Sequence, residues 1–167
     1  YAANDEIPKS VTGINRIEVD SDGLVRVDFM ADRHRISFFD GKVFFNNMQE
    51  IKLEYHTNSF FAKSVGKIKE ISFNNVTVEF EYHQNSIFKE SEGKIKEISI
   101  GNQAYQFEYH QNSYFAKSVG KLKEISSGSY SVEFEYNENP IYPENEGKLK
   151  EIKGEIPGIR ILYLDWN

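Results

Sequence analysis

The sequence predicts an all-β fold, an antiparallel repeat of β-hairpins with a 27-residue period forming an open coiling sheet or β-roll; a closed antiparallel barrel is the alternative. Three observations carry this. The phrase GKIKEI stands at 66–71 and 93–98, and GKLKEI at 120–125 and 147–152, so the copies begin 27 residues apart. A second phrase accompanies them, with alternating polar and apolar residues: VEFEYHQNS at 78–86, YQFEYHQNS at 105–113, VEFEYNENP at 132–140 and a looser IKLEYHTNS at 51–59. Finally, 13 Phe and 10 Tyr against 4 Pro is a composition that suits strands.

Taken in chain order, residues 1–12 are polar, lack the apolar core of a signal peptide, and read as a linker or processed terminus. Residues 13–167 read as a single β-repeat domain. Its first part, 13–56, is an irregular meander: GINRIEV at 13–19, an Asp22-Gly23 turn, LVRVDF at 24–29 and HRISFF at 34–39. Asp40-Gly41 then leads into KVFF at 42–45, and Asn46-Asn47 into MQEIKLEY at 48–55. Ile14 and Ile17 stand three apart, which breaks strict alternation and implies a bulge.

The regular repeats occupy 57–152. In one unit Val76, Val78, Phe80 and Tyr82 alternate with Thr77, Glu79 and Glu81, giving a strand with one buried face. Asn74-Asn75 before it tolerates the positive φ of a two-residue hairpin turn, and the matching positions are Gly101-Asn102, Ser127-Gly128 and Lys153-Gly154. Ile68 and Ile71 are again three apart, so a bulge at Lys69 or Glu70 is needed to put Ile68 on the Phe80 side. Lys67, Lys94 and Lys121 are expected on the outer face, opposite Glu81, Glu108 and Glu135. The loops alternate between FAKSV at 61–65 and 115–119 and the more acidic FKESE at 88–92 and YPENE at 142–146, a doublet of 54 residues. Single helical turns are the most that 58–66 and 112–120 could form. Residues 153–167 form a C-terminal capping strand, and the apolar IRILYLDW should be paired inside the fold or in a dimer.

The order Tyr82, Asn85, Gly93, Lys94, Ile95, Ile98, then Phe107 and Tyr109, resembles the YD repeats of Rhs-type bacterial proteins over about residues 54–152. His or Asn follows the tyrosine here, where that family has Asp, and the loop before each glycine is longer. The resemblance implies curling hairpin sheets, at times around a cargo, and surface, toxin-delivery or carbohydrate-contact roles. The sequence itself leaves the compartment unknown, and the resemblance implies a bacterial cell-surface or extracellular one.

Several function classes recede on composition. A net charge of −6 disfavours nucleic acid, and the absence of cysteine removes disulfides and thiolate chemistry. No apolar run approaches the length of a membrane helix. No cofactor motif is present: no nucleophile elbow, Walker loop, dinucleotide glycine pattern or EF-hand loop. His56, His83 and His110 recur two residues after Glu54, Glu81 and Glu108, a pairing that could hold a metal. Successive copies two strands apart would sit ~10 Å from each other, too far to share one ion, so these histidines read as structural.

The repeated loops are the expected working surface. Their aromatics, Phe60, Phe61, Phe88, Tyr114, Phe115 and Tyr142, stand at equivalent places and could meet a protein or a glycan. The expected function is therefore a non-catalytic β-repeat scaffold or interaction module. The alternative is an enzyme or small-molecule-binding barrel with an interior site, which would need polar inward positions. Those positions (Ile68, Ile71, Val78, Phe80, Tyr82 and their counterparts) are apolar apart from the tyrosine hydroxyls.

Overall fold

A computed structural model describes residues 12–46, 50–58, 60, 62–84, 89–111, 117–138 and 141–164. Among these the chain is all-β, with thirteen strands. The first four are β1 (Gly13–Asp20), β2 (Val25–Ala31), β3 (His34–Phe39) and β4 (Lys42–Phe44). Next come β5 (Lys52–Tyr55), β6 (Ile68–Phe73), β7 (Val76–Tyr82), β8 (Ile95–Ile100) and β9 (Gln103–Tyr109). The last are β10 (Leu122–Ser127), β11 (Tyr130–Tyr136), β12 (Leu149–Glu155) and β13 (Arg160–Leu164).

They form two sheets, neither of them closed. One has five strands in the order β13-β1-β2-β3-β4, and the other has eight in the order β12-β11-β10-β9-β8-β7-β6-β5. The expected single coiling sheet is thus divided, and the division falls between β4 and β5. Most of the N-terminal meander covers the larger sheet, because both inner faces are apolar and each hides the other from water. Phe38 of β3 stacks on Phe80 of β7 at 5.2 Å between ring centroids, and Phe29 of β2 meets the same ring at 6.3 Å. Fully buried side chains come from both sheets, among them Ile17, Phe29, Ile36, Ile71, Phe80, Phe107 and Phe134.

The bulges occur where three-residue apolar spacing demands them. In β1 the register with β2 shifts between Ile14 and Arg16. In β8, Glu97 pairs with Glu81 and Ile95 with Tyr82, so Lys96 is skipped. Lys69, Lys123 and Lys150 are skipped in the same way. All four lysines are exposed, while Ile68, Ile95 and Leu122 are buried. The neighbour differs from the expectation, however. The shift lies against the strand of the preceding hairpin, so Ile68 faces Tyr55 and Phe80 faces Ile98.

Three further expectations are corrected. The third repeat turn is Gly128-Ser129 and not Ser127-Gly128, since Ser127 still pairs with Tyr130. Lys153-Gly154 does not turn at all: β12 continues to Glu155, and Gly154 lies opposite Val132 at φ 93°. There a Cβ would come within 2.2 Å of Ser131 O, so the glycine answers a close backbone approach. The chain turns later, at Pro157-Gly158. Lastly, β13 is paired inside the fold, as its apolar sequence requires, but it runs parallel to β1 with Ile17 opposite Ile161.

Candidate functional site

The loop end of the larger sheet carries the recurring polar side chains. Each second strand ends in a tyrosine that continues the inward alternation, so Tyr82, Tyr109 and Tyr136 are all buried. Their hydroxyls donate to the carbonyls of Ile68 (2.7 Å), Ile95 (2.9 Å) and Leu122 (2.9 Å), the first inward residue of the same hairpin. Burial pushes all three phenols far above their ordinary value, with Asp40 adding to the effect at Tyr82, Glu108 at Tyr109, and Tyr163 and Asp20 at Tyr136. A phenol held protonated and bonded to a carbonyl is an anchor, and a poor acid–base catalyst at neutral pH.

The histidines belong to the same anchors. His56, His83 and His110 place Nε2 at 3.0, 2.8 and 3.0 Å from the carbonyls of Phe80, Phe107 and Phe134. A carbonyl only accepts, so Nε2 carries the proton. Each ring also meets the next tyrosine edge-on: His56 to Tyr82 at 5.4 Å, His83 to Tyr109 and His110 to Tyr136 at 5.5 Å. Among the described residues no group of three or more His, Cys, Asp or Glu could hold a metal ion.

The lysines depart from expectation. Instead of lying along the outer face opposite glutamate, Lys67 donates to Gly93 O at 2.5 Å and Lys121 to Gly147 O at 2.5 Å, while Lys94 donates to Gly120 O. Each ammonium also stands 5.4 Å from the centroid of Tyr82, Tyr109 or Tyr136. Desolvation lowers the affinity of Lys67 and Lys94 for their protons, opposed by Asp40 at the first and by Asp20, Glu90 and Asp22 at the second. These aspartates lie at the β1–β2 and β3–β4 turns, so the smaller sheet brings its acidic turns to the lysine row. Its β3–β4 turn also accepts a backbone bond, from Ile68 N to Gly41 O at 2.8 Å.

Glycine at the start of each first strand now has a reason. Gly93 has φ 84°, and a Cβ there would meet Lys63 Cβ at 2.8 Å. Gly147 repeats this against Lys117 at 2.8 Å, whereas the first copy, Gly66, has nothing within 4 Å. The loop is closed beside it by Gly66 N to His56 O (2.9 Å) and Lys67 N to Ser64 O (3.0 Å), and by equivalent bonds around His83, His110 and Asn137.

Of the loop aromatics, Phe60 is 90% exposed and Tyr142 63%, with Ile141 beside it at 91%. Phe61, Phe88, Tyr114 and Phe115 lie outside the described residues. The 3₁₀ turn Pro143–Asn145 follows Tyr142 and closes the fourth loop. Between the sheets, beside Tyr82 and Tyr109, a crevice of about 20 Å³ has room for roughly one water molecule.

Sequence reasoning missed an open cleft of about 670 Å³ on β3 and β4, lined in part by Arg33, His34, Arg35, Ser37 and Phe44. Its signal was present: Arg33, Arg35 and Ser37 share one side of an alternation whose other side, Ile36 and Phe38, is buried. A comparison with known protein families returns no match, and neither does one with curated proteins.

Proposed function

We propose that the chain is a non-catalytic β-repeat scaffold, built from 27-residue hairpin units, that binds a partner protein through its loops. The observation that carries this is a division of labour at the loop end. Phe60, Ile141 and Tyr142 extend into solvent, while the tyrosines, histidines and lysines that could do chemistry are engaged in holding hairpins together. Large exposed side chains of this kind cost solubility unless they are covered by a partner. The aliphatic Ile141 favours a protein surface. Tyr142 favours a second reading, a glycan, because a flat exposed ring with a polar tip suits a sugar face. The resemblance to YD repeats supports surface contact of either kind.

The test compares the wild-type chain with a Phe60→Ser, Ile141→Ser, Tyr142→Ser variant in a pull-down from native extract beside a glycan array. The variant should lose specific protein capture with its melting curve unchanged. Capture by the array alone would shift the reading to glycan. Undiminished binding by the variant on both would overturn the loop surface.

A further inference from the structure

The larger sheet ends in two strands of different kinds. At one end β12 holds a GKLKEI segment, and its pairing partner is β11. At the other, β5 holds the KLEY of an IKLEY segment, paired with β6. Inside the sheet those two kinds of strand pair as hairpins, as β6 does with β7. The free side of β12 is therefore the side on which its siblings accept a VEFEY-type strand, and the free side of β5 is the side on which its siblings accept a GKIKEI-type strand.

The repeat also fixes the register such a pairing would take. In β6–β7, Ile71 faces Val78, flanked by Glu70 opposite Glu79 and Ser72 opposite Thr77. In β8–β9 the flanking pairs are Glu97 with Gln106 and Ser99 with Ala104. In β10–β11 they are Glu124 with Glu133 and Ser126 with Ser131. None of the internal hairpins sets opposite charges at these positions. Transferred to the two free edges, the same register puts Ile152 opposite Ile51, Glu151 opposite Lys52, and Lys153 opposite Glu50; Ile51 and Glu50 stand just before β5, with Glu50 at φ 56°, so the added strand would have to extend them. Both flanking pairs become pairs of opposite charge.

All four charged residues are exposed, and Ile152 is 39% exposed on an edge strand that the smaller sheet leaves largely uncovered. Lys153 already leans on Glu135 and Glu151 at 3.3 and 3.7 Å along the outer face, within reach of an incoming carboxylate.

We propose that copies of this chain associate head to tail, β5 of one copy pairing antiparallel with β12 of the next. The occupant of each edge is a second copy, because only the chain's own opposite edge offers the matching strand type, the apolar residue at the central position and complementary charges on both sides of it. The contact is heterologous, so it propagates into an open filament or closes as a ring, and does not stop at a two-fold dimer. Edge charges ordinarily discourage strand addition; here they are complementary across the unlike edges, and the strand types select that pairing, because two like edges paired about Ile152 or Ile51 would also set glutamate against lysine but would survive the charge exchanges tested below.

Sedimentation velocity of the intact chain tests this from low micromolar to hundreds of micromolar. The wild type should gain mass with concentration beyond a dimer. Two variants, Glu151→Lys with Lys153→Glu and Glu50→Lys with Lys52→Glu, should each self-associate about tenfold more weakly or worse, since each turns two attractive pairs into repulsive ones. Mixed in equal amounts, the two should regain wild-type assembly, because every contact between unlike variants is again complementary. Circular dichroism melts identical to the wild type would show that the variants fold. A wild type that stays monomeric throughout, variants that assemble as the wild type does, or a mixture that fails to recover would each overturn the proposal.

Discussion

The two sheets build one shared core by different means. In the larger sheet each regular hairpin makes the same contacts: a skipped lysine on its bulged strand, a buried Phe-x-Tyr, a phenol on the first inward carbonyl, and a lysine reaching to the next glycine. Among the described residues the contacts of the smaller sheet form no comparable recurring set. Its hairpins turn at residues 21–24, at Asp32-Arg33 and at Asp40-Gly41, its bulge lies at the start of β1, and its last strand is parallel and comes from the far end of the chain. The difference predicts where damage spreads. A recurring contact can be removed one copy at a time and compared with its siblings, whereas each contact of the smaller sheet has no substitute.

The sharpest break of that comparison is to remove what has no substitute. Deleting residues 158–167 takes away β13, bares the edge of β1 and uncovers the apolar residues that β13 helps bury, including Ile17 and Val19. The expected result is insoluble protein; a soluble, monomeric, fully folded truncation would show that the smaller sheet stands without its closing strand.

High pH attacks the recurring contacts instead. Tyr82, Tyr109 and Tyr136 have phenols raised above the ordinary value of 10.0 in the folded state, so their contribution is complete below pH 10 and is lost as pH rises beyond it. Well above pH 10, three such groups remove about 4 kcal/mol per pH unit, at roughly 1.4 kcal/mol for each. Lys67 and Lys94 act in the opposite sense, since their lowered affinity for protons is a penalty that is relieved as pH approaches 10.5. Denaturant melts between pH 9 and 11 should show a net fall, and changing all three tyrosines to phenylalanine should reduce it, leaving the part due to Tyr105, whose phenol burial also raises.

A smaller effect separates copies within the array. Gly66 and Gly93 share nearly the same positive φ, 85° and 84°, but only Gly93 is crowded by the preceding loop. Gly66→Ala should cost about 1–2 kcal/mol of backbone strain, and Gly93→Ala measurably more in the same denaturant assay. Equal losses would mean that the copies do not press on one another.

Much of this was legible in the sequence, for identifiable reasons. Strand alternation exposed Val78, Phe80 and Tyr82 as inward, and the Ile68-x-x-Ile71 spacing could be met only by a skipped residue. Spacing does not say which neighbour the skip is made against, so the pairing of Ile68 with Tyr55 is not legible in it. Nor does it show that a charged side chain will fold inward: Lys67 does so because a carbonyl and a ring face wait there, both supplied from outside its own strand. Gly154 looked like its turn-forming counterparts because glycine serves close approach as well as positive φ. Of the site, strand spacing keeps His56, His83 and His110 from sharing an ion but says nothing of the carbonyls they bond, while for the cleft alternation turns Arg33 and Arg35 outward but does not show where β4 ends.

The central claim is that the repeated tyrosines join the core to the loop end as equivalent anchors. It is tested most directly by alanine and phenylalanine substitutions at Tyr82, Tyr109 and Tyr136, each melted in denaturant. Phenylalanine removes one hydrogen bond and should cost about 0.5–1.5 kcal/mol, while alanine also leaves a cavity and should cost about 3–5 kcal/mol, with the same ordering at all three positions. Alanine proving as mild as phenylalanine would mean that the rings are not buried, and the inward face, with the bulges that maintain it, would be wrong.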